Sequence, residues 1–342
     1  MSVYILGGST TGGGGVDDDP ARAWPALLLQ RRGGAAQVHF KNAIEPSYFL
    51  HCAERFAPNN SVPVAASVLD LGPNLWSPNA VLSLQRLVTQ TRLLTRAPRV
   101  GLVGWGGKAS LKHDLSKLRA VSDATGAAVL LPAVRSYADE VHPDADAHAA
   151  IARAVDDFVD GALGGAVDPN ASWRPPRERC FEAAQIPHIG RGWPLVAYGP
   201  QRGKQGLRPE EGTPLRIPAA PLSQACGVVV TLGYLRTERP GTLSVACSSA
   251  CECSEVRGFW QRAINPYPKI ATALTRPLRV TGSSSFWMAQ NQSCTVRLAG
   301  YGDTMLTGFY LRAFDADDVH NAAISAKPAH RRLVDACNGV LN

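Results

Sequence analysis

The sequence predicts a doubly wound α/β domain with a flavodoxin-like strand order and three α/β/α layers, followed by an all-β sandwich of the jelly-roll kind. Three observations predict it. In the first half, short Val- and Leu-rich runs alternate with amphipathic stretches. Beyond residue 163 the helical periodicity stops, and short β-branched or aromatic runs separated by turn residues take over. Seven of the eight cysteines fall in that second part.

Strands are expected at residues 3–6, 36–40, 65–71, 99–105 and 127–133. Each is a short apolar run bounded by Gly, Pro or polar residues, the pattern of strands buried on both faces of a parallel sheet. Helices are expected between them. "NAVLSLQRLVTQTRLLTR" and "ASLKHDLSKLRAVSDATG" repeat apolar residues every three to four positions, and the second ends at Gly126. "DADAHAAIARAVDDFVDGAL" opens with aspartates, which suit the positive end of a helix dipole. The α/β domain therefore covers residues 1–163. Residues 164–215, rich in Gly, Pro and charge, read as a linker and irregular segment. Residues 216–318 hold the β-type runs "CGVVVTLGYLRT", "GTLSVACSS", "PLRVTGSSSFWMA", "CTVRLAGY" and "MLTGFYLRAF". Residues 319–342 read as a tail.

Composition narrows the function classes. At 342 residues, 45% apolar and 18% charged, the chain suits two globular domains. No apolar stretch approaches the roughly 20 residues needed to span a bilayer, and no signal peptide is visible. Residues 1–163 hold 15 basic and 15 acidic side chains, so the excess of 35 basic over 28 acidic residues lies wholly after them. That favours contact with an anionic glycan through the basic C-terminal half. The basic residues are scattered and not in runs, so no nucleic-acid partner is expected. Cysteine usage and the sequons at Asn59, Asn170 and Asn291 point to the secretory pathway or the cell exterior.

"ILGGSTTGGGGVDDDP" follows the first strand directly. A glycine-rich turn between strand and helix suits phosphate binding, but no Lys-Ser/Thr pair follows, and the spacing is not G-x-G-x-x-G. Asp17, Asp18 and Asp19 would repel phosphate. A nucleophile fits better. Ser9 follows two glycines at a strand end, where small neighbours let the backbone turn and substrate approach. Such a serine needs a base, and the base an orienting carboxylate. Asp139 precedes His142 by three residues in the loop after the fifth strand. Asn74, in "LDLGPNLW" after the third strand, could donate to an oxyanion.

Together these blocks resemble the SGNH (GDSL-type) hydrolase family. "GGST" is similar to its first block, "GPN" to its third and "DEVHPDADAHAAIA" to its last. The resemblance covers residues 1–163 and implies Ser9 as nucleophile, His142 as base, Asp139 as its partner, and the Ser9 N–H with Asn74 as oxyanion donors. Two departures stand out. Gly8 replaces the acid of the first block. Ile44-Glu45-Pro46 stands where the second block would offer a glycine N–H, and Pro46 has none to give. The four glycines after Ser9 are expected to form a mobile lip. The whole layout, with its Cys-rich second half, looks like two-domain SGNH proteins of green algae and plants.

The reading is a serine esterase removing acyl, acetyl-sized groups from a carbohydrate or similar hydroxylated substrate, small or polymeric. Neither cofactor nor metal is needed for that chemistry. Two alternatives stay open: an O-acyltransferase using the same triad, and a catalytically degenerate glycan-binding or surface protein. Cys247, Cys251, Cys253 and Cys294 lack the paired C-x-x-C spacing of a zinc site and read as disulfide cysteines, of undetermined connectivity. Trp260, Trp287 and Tyr234 read as core aromatics with sugar stacking as the alternative.

Overall fold

A computed structural model divides the chain into two compact units, Met1–Arg174 and Pro175–Asn342. It describes residues 2–41, 45–59, 62–75, 80–105, 115–139 and 142–162 of the first unit. In the second it describes 178–186, 192–197, 205–208, 210, 213–217, 227–236, 242–247, 255–257, 280–289, 294–299 and 305–314.

The first unit is built on five parallel strands: β1 (Ser2–Gly7), β2 (Ala35–Phe40), β3 (Val64–Asp70), β4 (Val100–Val103) and β5 (Ala128–Leu130). Their order is β2-β1-β3-β4-β5, the flavodoxin-like arrangement. The chain leaves β1 toward β2 on one side and later returns to β3 on the other. Loops at the carboxyl ends of β1 and β3 therefore diverge and leave a crevice between them. β1, β3 and β4 are buried along their whole length, which is why they read as continuous apolar runs.

Among the described residues, five helices accompany the sheet: α1 (Trp24–Arg32), α2 (Pro46–His51), α3 (Ala80–Thr95), α4 (Leu115–Thr125) and α5 (Ala145–Ala162). Alternate residues of β3 show the two faces. Ala66 and Val68 pack in a core with Trp24 and Leu28 of α1 and Ile151, Ala152 and Val155 of α5. Ser67, between them, meets Thr95 of α3 at 2.9 Å. α1 ends in a left-handed cap at Gly33 (φ 61°), whose N–H bonds the Leu29 carbonyl at 2.9 Å. Arg32 reaches Asp156 at 2.5 Å and Asp160 at 2.8 Å, tying the end of α1 to α5.

The second unit is all-β among its described residues, apart from one 3₁₀ turn at Ala183–Gln185. Its strands are β6 (Glu178–Glu182), β7 (Leu195–Ala197), β8 (Gln205–Leu207), β9 (Leu215–Ile217), β10 (Gly227–Arg236), β11 (Thr242–Cys247), β12 (Glu255–Arg257), β13 (Val280–Ala289), β14 (Cys294–Ala299) and β15 (Leu306–Phe314). One antiparallel sheet runs β13-β10-β15-β8-β7, with β6 also on β15; the other runs β12-β11-β14-β9. The segment read as a linker thus supplies β6, β7 and β8 to the first sheet, and β9 of the second begins at its last residue. Those strands are only three to five residues long between Pro and Gly, too short to show a period. The tail at 319–342, Trp260, and the sequons at Asn170 and Asn291 lie outside the described residues.

Candidate active site

Ser9 follows β1 by two residues. The segment after it folds back under its own carbonyl, which accepts the N–H of Gly12 at 3.0 Å and of Gly14 at 2.8 Å. The Gly8 N–H donates to the Asp70 carbonyl at 3.0 Å, carrying the β1–β3 pairing to the edge of the turn. Ser9 Oγ then lies 2.9 Å from His142 Nε2.

His142 is held from behind by Asp139. Its Nδ1 is 2.7 Å from Asp139 Oδ2, and its backbone N–H donates to Asp139 Oδ1 at 2.7 Å. An ionised carboxylate only accepts, so Nδ1 carries the proton and Nε2 is left as the acceptor facing Ser9. The turn is closed by the Ala138 N–H on the His142 carbonyl at 3.0 Å. α5 starts three residues after His142, capped by Asp144, whose Oδ1 accepts from Ser136 Oγ at 2.7 Å and the Ala147 N–H at 3.1 Å. The Ser136 bond foremost holds the Asp144 carboxyl below its ordinary pKa. The cap fixes where α5 begins, and with it the turn that carries His142. The Asp139 side chain is 54% exposed and that of His142 23%, so the acid end of this chain of groups meets water.

Asn74 closes the 3₁₀ turn Gly72–Asn74 at the end of β3, beside β1, and is buried. A Cβ on Gly8 would lie 2.6 Å from Asn74 Nδ2. The amide therefore rests on the backbone one residue before Ser9, and a side chain at position 8 would have to displace it. Pro46 opens α2, with Glu45 as its cap; at that position a missing N–H leaves no helical bond unmade. Ile44 lies outside the described residues.

The glycines correct an expectation. Gly12, Gly13 and Gly14 are buried and do not form a mobile lip. A Cβ on Gly14 would stand 2.6 Å from His142 Cδ2, and one on Gly15 (φ +94°) 1.9 Å from the Pro143 carbonyl. Only residues without a Cβ let this loop lie as a floor beneath the imidazole.

Four side chains that the sequence reading passed over join this floor. Asp70, the last residue of β3, is buried; its Oδ2 accepts from Thr11 Oγ1 at 2.7 Å and Trp24 Nε1 at 2.9 Å. Burial pushes the Asp70 carboxyl up to about 6, against the pull of those two bonds. The Trp24 N–H donates to His148 Nδ1 at 3.0 Å, and His148 Nε2 lies 3.0 Å from the Gly14 carbonyl. Burial foremost lowers the His148 pKa. Signals existed in the sequence. Asp70 is the one charge in β3, at its end, and His148 falls on the same helical stripe as Ile151, Ala152 and Val155.

In the second unit, Cys247 and Cys294 are direct register partners across β11 and β14. Cys251 and Cys253 lie outside the described residues. Cys52 and Cys180, which spacing alone did not single out, are each disulfide-bonded. Among the described residues no three metal-ligating side chains converge, and no helix is long and apolar enough to cross a membrane.

No protein-family model matches the chain, nor does any curated protein sequence. Solved structures do. The chain is similar to a two-domain esterase active on acetylated mannans, at 13% identity and TM-score 0.56, over 92% of each chain. It is equally similar to that kind of esterase co-crystallised with mannopentaose, at 12% identity and TM-score 0.57, over 92% of this chain and 91% of the other. The likeness spans both units and is one of fold.

Proposed function

We propose that the protein is a carboxylic ester hydrolase of the SGNH type that removes acetyl-sized groups from a carbohydrate. One observation carries the reading. Ser9, His142 and Asp139 form a continuous chain of hydrogen bonds, 2.9 Å and then 2.7 Å, at the carboxyl end of a doubly wound sheet.

In this reading Ser9 Oγ attacks the ester carbonyl while His142 Nε2 takes its proton. Asp139 keeps the proton on Nδ1 and stabilises the imidazolium that forms. The tetrahedral oxyanion is held by the Ser9 N–H and the Asn74 amide. As the intermediate collapses, His142 returns the proton to the departing alcohol and the acyl group stays on Ser9 Oγ. Water, deprotonated by His142, then releases the carboxylic acid. None of these steps calls on a metal or a cofactor. Fold likeness to an esterase active on acetylated mannans supports a polysaccharide substrate. The all-β unit would then hold the polymer, with the basic excess after residue 163 available to anionic sugars. Disulfide bonding of Cys52 and Cys180 supports a secretory or extracellular setting.

The experiment is acetate release from acetylated mannan, and hydrolysis of 4-nitrophenyl acetate, by the wild type and by Ser9→Ala. The reading requires turnover in the wild type and background rates in the variant, with a fluorophosphonate probe attached to Ser9. Equal rates in both proteins sink it.

A further inference from the structure

We propose that Thr11, Asp70, Trp24 and His148 are positioning residues: one buried network that sets the distance between Ser9 and His142. This rests on the catalytic reading of those two residues given above.

The two halves of the site have no common strand pairing. Ser9 follows β1, and His142 follows β5, which β3 and β4 separate from β1 in the sheet. Sheet register fixes Ser9 relative to Asn74 but leaves the His142 turn to be placed by something else. The network does this in a closed circuit. Asp70 Oδ2 grips Thr11, in the turn that carries Ser9, and the Trp24 indole. Trp24 donates its backbone N–H to His148 on α5, six residues beyond the base. Because Nδ1 of His148 accepts that bond, its proton sits on Nε2, which donates to the Gly14 carbonyl. Gly14 passes the connection back through its N–H to the Ser9 carbonyl at 2.8 Å, and its Cα supports the His142 ring. Each end of the Ser9–His142 bond is thus anchored to the same buried carboxylate. Asp70 Oδ1 is buried with no hydrogen-bond partner, so Oδ2 alone makes both bonds of this carboxyl group.

A displacement of about 1 Å between reacting groups costs on the order of a hundredfold in rate. Removing one donor to Asp70 should therefore lower kcat by roughly tenfold or more while leaving KM within about twofold, because substrate contacts are untouched. The test measures kcat and KM on 4-nitrophenyl acetate, and the fluorophosphonate labelling rate, for Thr11→Val, Thr11→Ser and Trp24→Phe. Val121→Ala, a core cavity on α4 outside the cluster that holds Trp24, is the control for lost stability. Circular dichroism and thermal melting confirm that each protein is folded. The expected result is a kcat loss in Thr11→Val and Trp24→Phe, most of the rate restored by Thr11→Ser, and wild-type kcat in Val121→Ala. Losses no larger than those of Val121→Ala, or equal in Thr11→Ser and Thr11→Val, overturn this inference alone. If one variant does not fold, the other decides. An inert, unlabelled wild type overturns the catalytic reading and this inference with it.

Discussion

Asp139 holds His142 with both of its carboxylate oxygens, one on the ring and one on the backbone, each at 2.7 Å. The acid is nevertheless more than half exposed. A buried triad acid leaves its histidine without a partner when it is removed. Here water can take part of its place. Asp139→Asn is expected to lower kcat by roughly a hundredfold, well short of the ~10⁴-fold typical where the triad acid is buried. Steady-state kinetics beside Ser9→Ala check this, and a loss as deep as that of Ser9→Ala contradicts it.

Gly8 and Asn74 should behave as one unit, since the amide lies on the glycine backbone. Asn74→Ala removes the proposed oxyanion donor and should cost about 10²–10³ in kcat. Gly8→Asp should cost a similar factor by displacing the amide. The double variant should be little worse than either single, because both act through the same group. Additive losses would show that Gly8 matters for another reason.

Gly14→Ala puts a methyl about where the imidazole edge now lies. The expected result is a kcat reduced by roughly 10–100-fold, from a base pushed out of line with Ser9 Oγ. The fluorophosphonate labelling rate should fall with it. Unchanged labelling would mean that the loop yields without moving His142.

The buried Asp70 makes a signed prediction about stability. Its carboxyl is raised to about 6 in the folded protein, against 3.8 as the ordinary value. The folded state therefore binds that proton more tightly than the unfolded chain does. The associated stability is fully present below about pH 4 and is lost as pH rises through about 6. Relative to Asp70→Asn, which does not titrate, the wild type should gain on the order of 2–3 kcal/mol between pH 7 and pH 4. His148, whose depressed pKa acts in the opposite sense, is common to both proteins and cancels in the difference. Urea unfolding of the two proteins across that range is the measurement, and a flat difference contradicts the burial of Asp70.

Cys247 and Cys294 sit opposite each other on neighbouring antiparallel strands. Directly opposed residues bring their Cβ atoms to about 4.5–5.5 Å, near the reach of a disulfide. A 247–294 linkage is expected in protein made under oxidising conditions. Peptide mapping without reductant reads it directly, and free thiols at both positions would refute it.

The sequence by itself determined the parallel sheet and its order, because strands buried on both faces must be written as apolar runs. It also brought out Ser9, Asn74, Asp139 and His142 as candidates for one site, since strand-end loops of this topology converge on one crevice. It did not determine the short strands β6 to β9, which are too brief to carry a period. Nor did it reveal that the glycines after Ser9 are a packed floor, because local composition describes freedom and not what lies above. Tertiary structure alone decided that Asp70, Trp24 and His148 meet. Their hydrogen bonds join residues 46 and 124 apart in sequence, and such contacts arise only when strand, helix and loop are folded against one another.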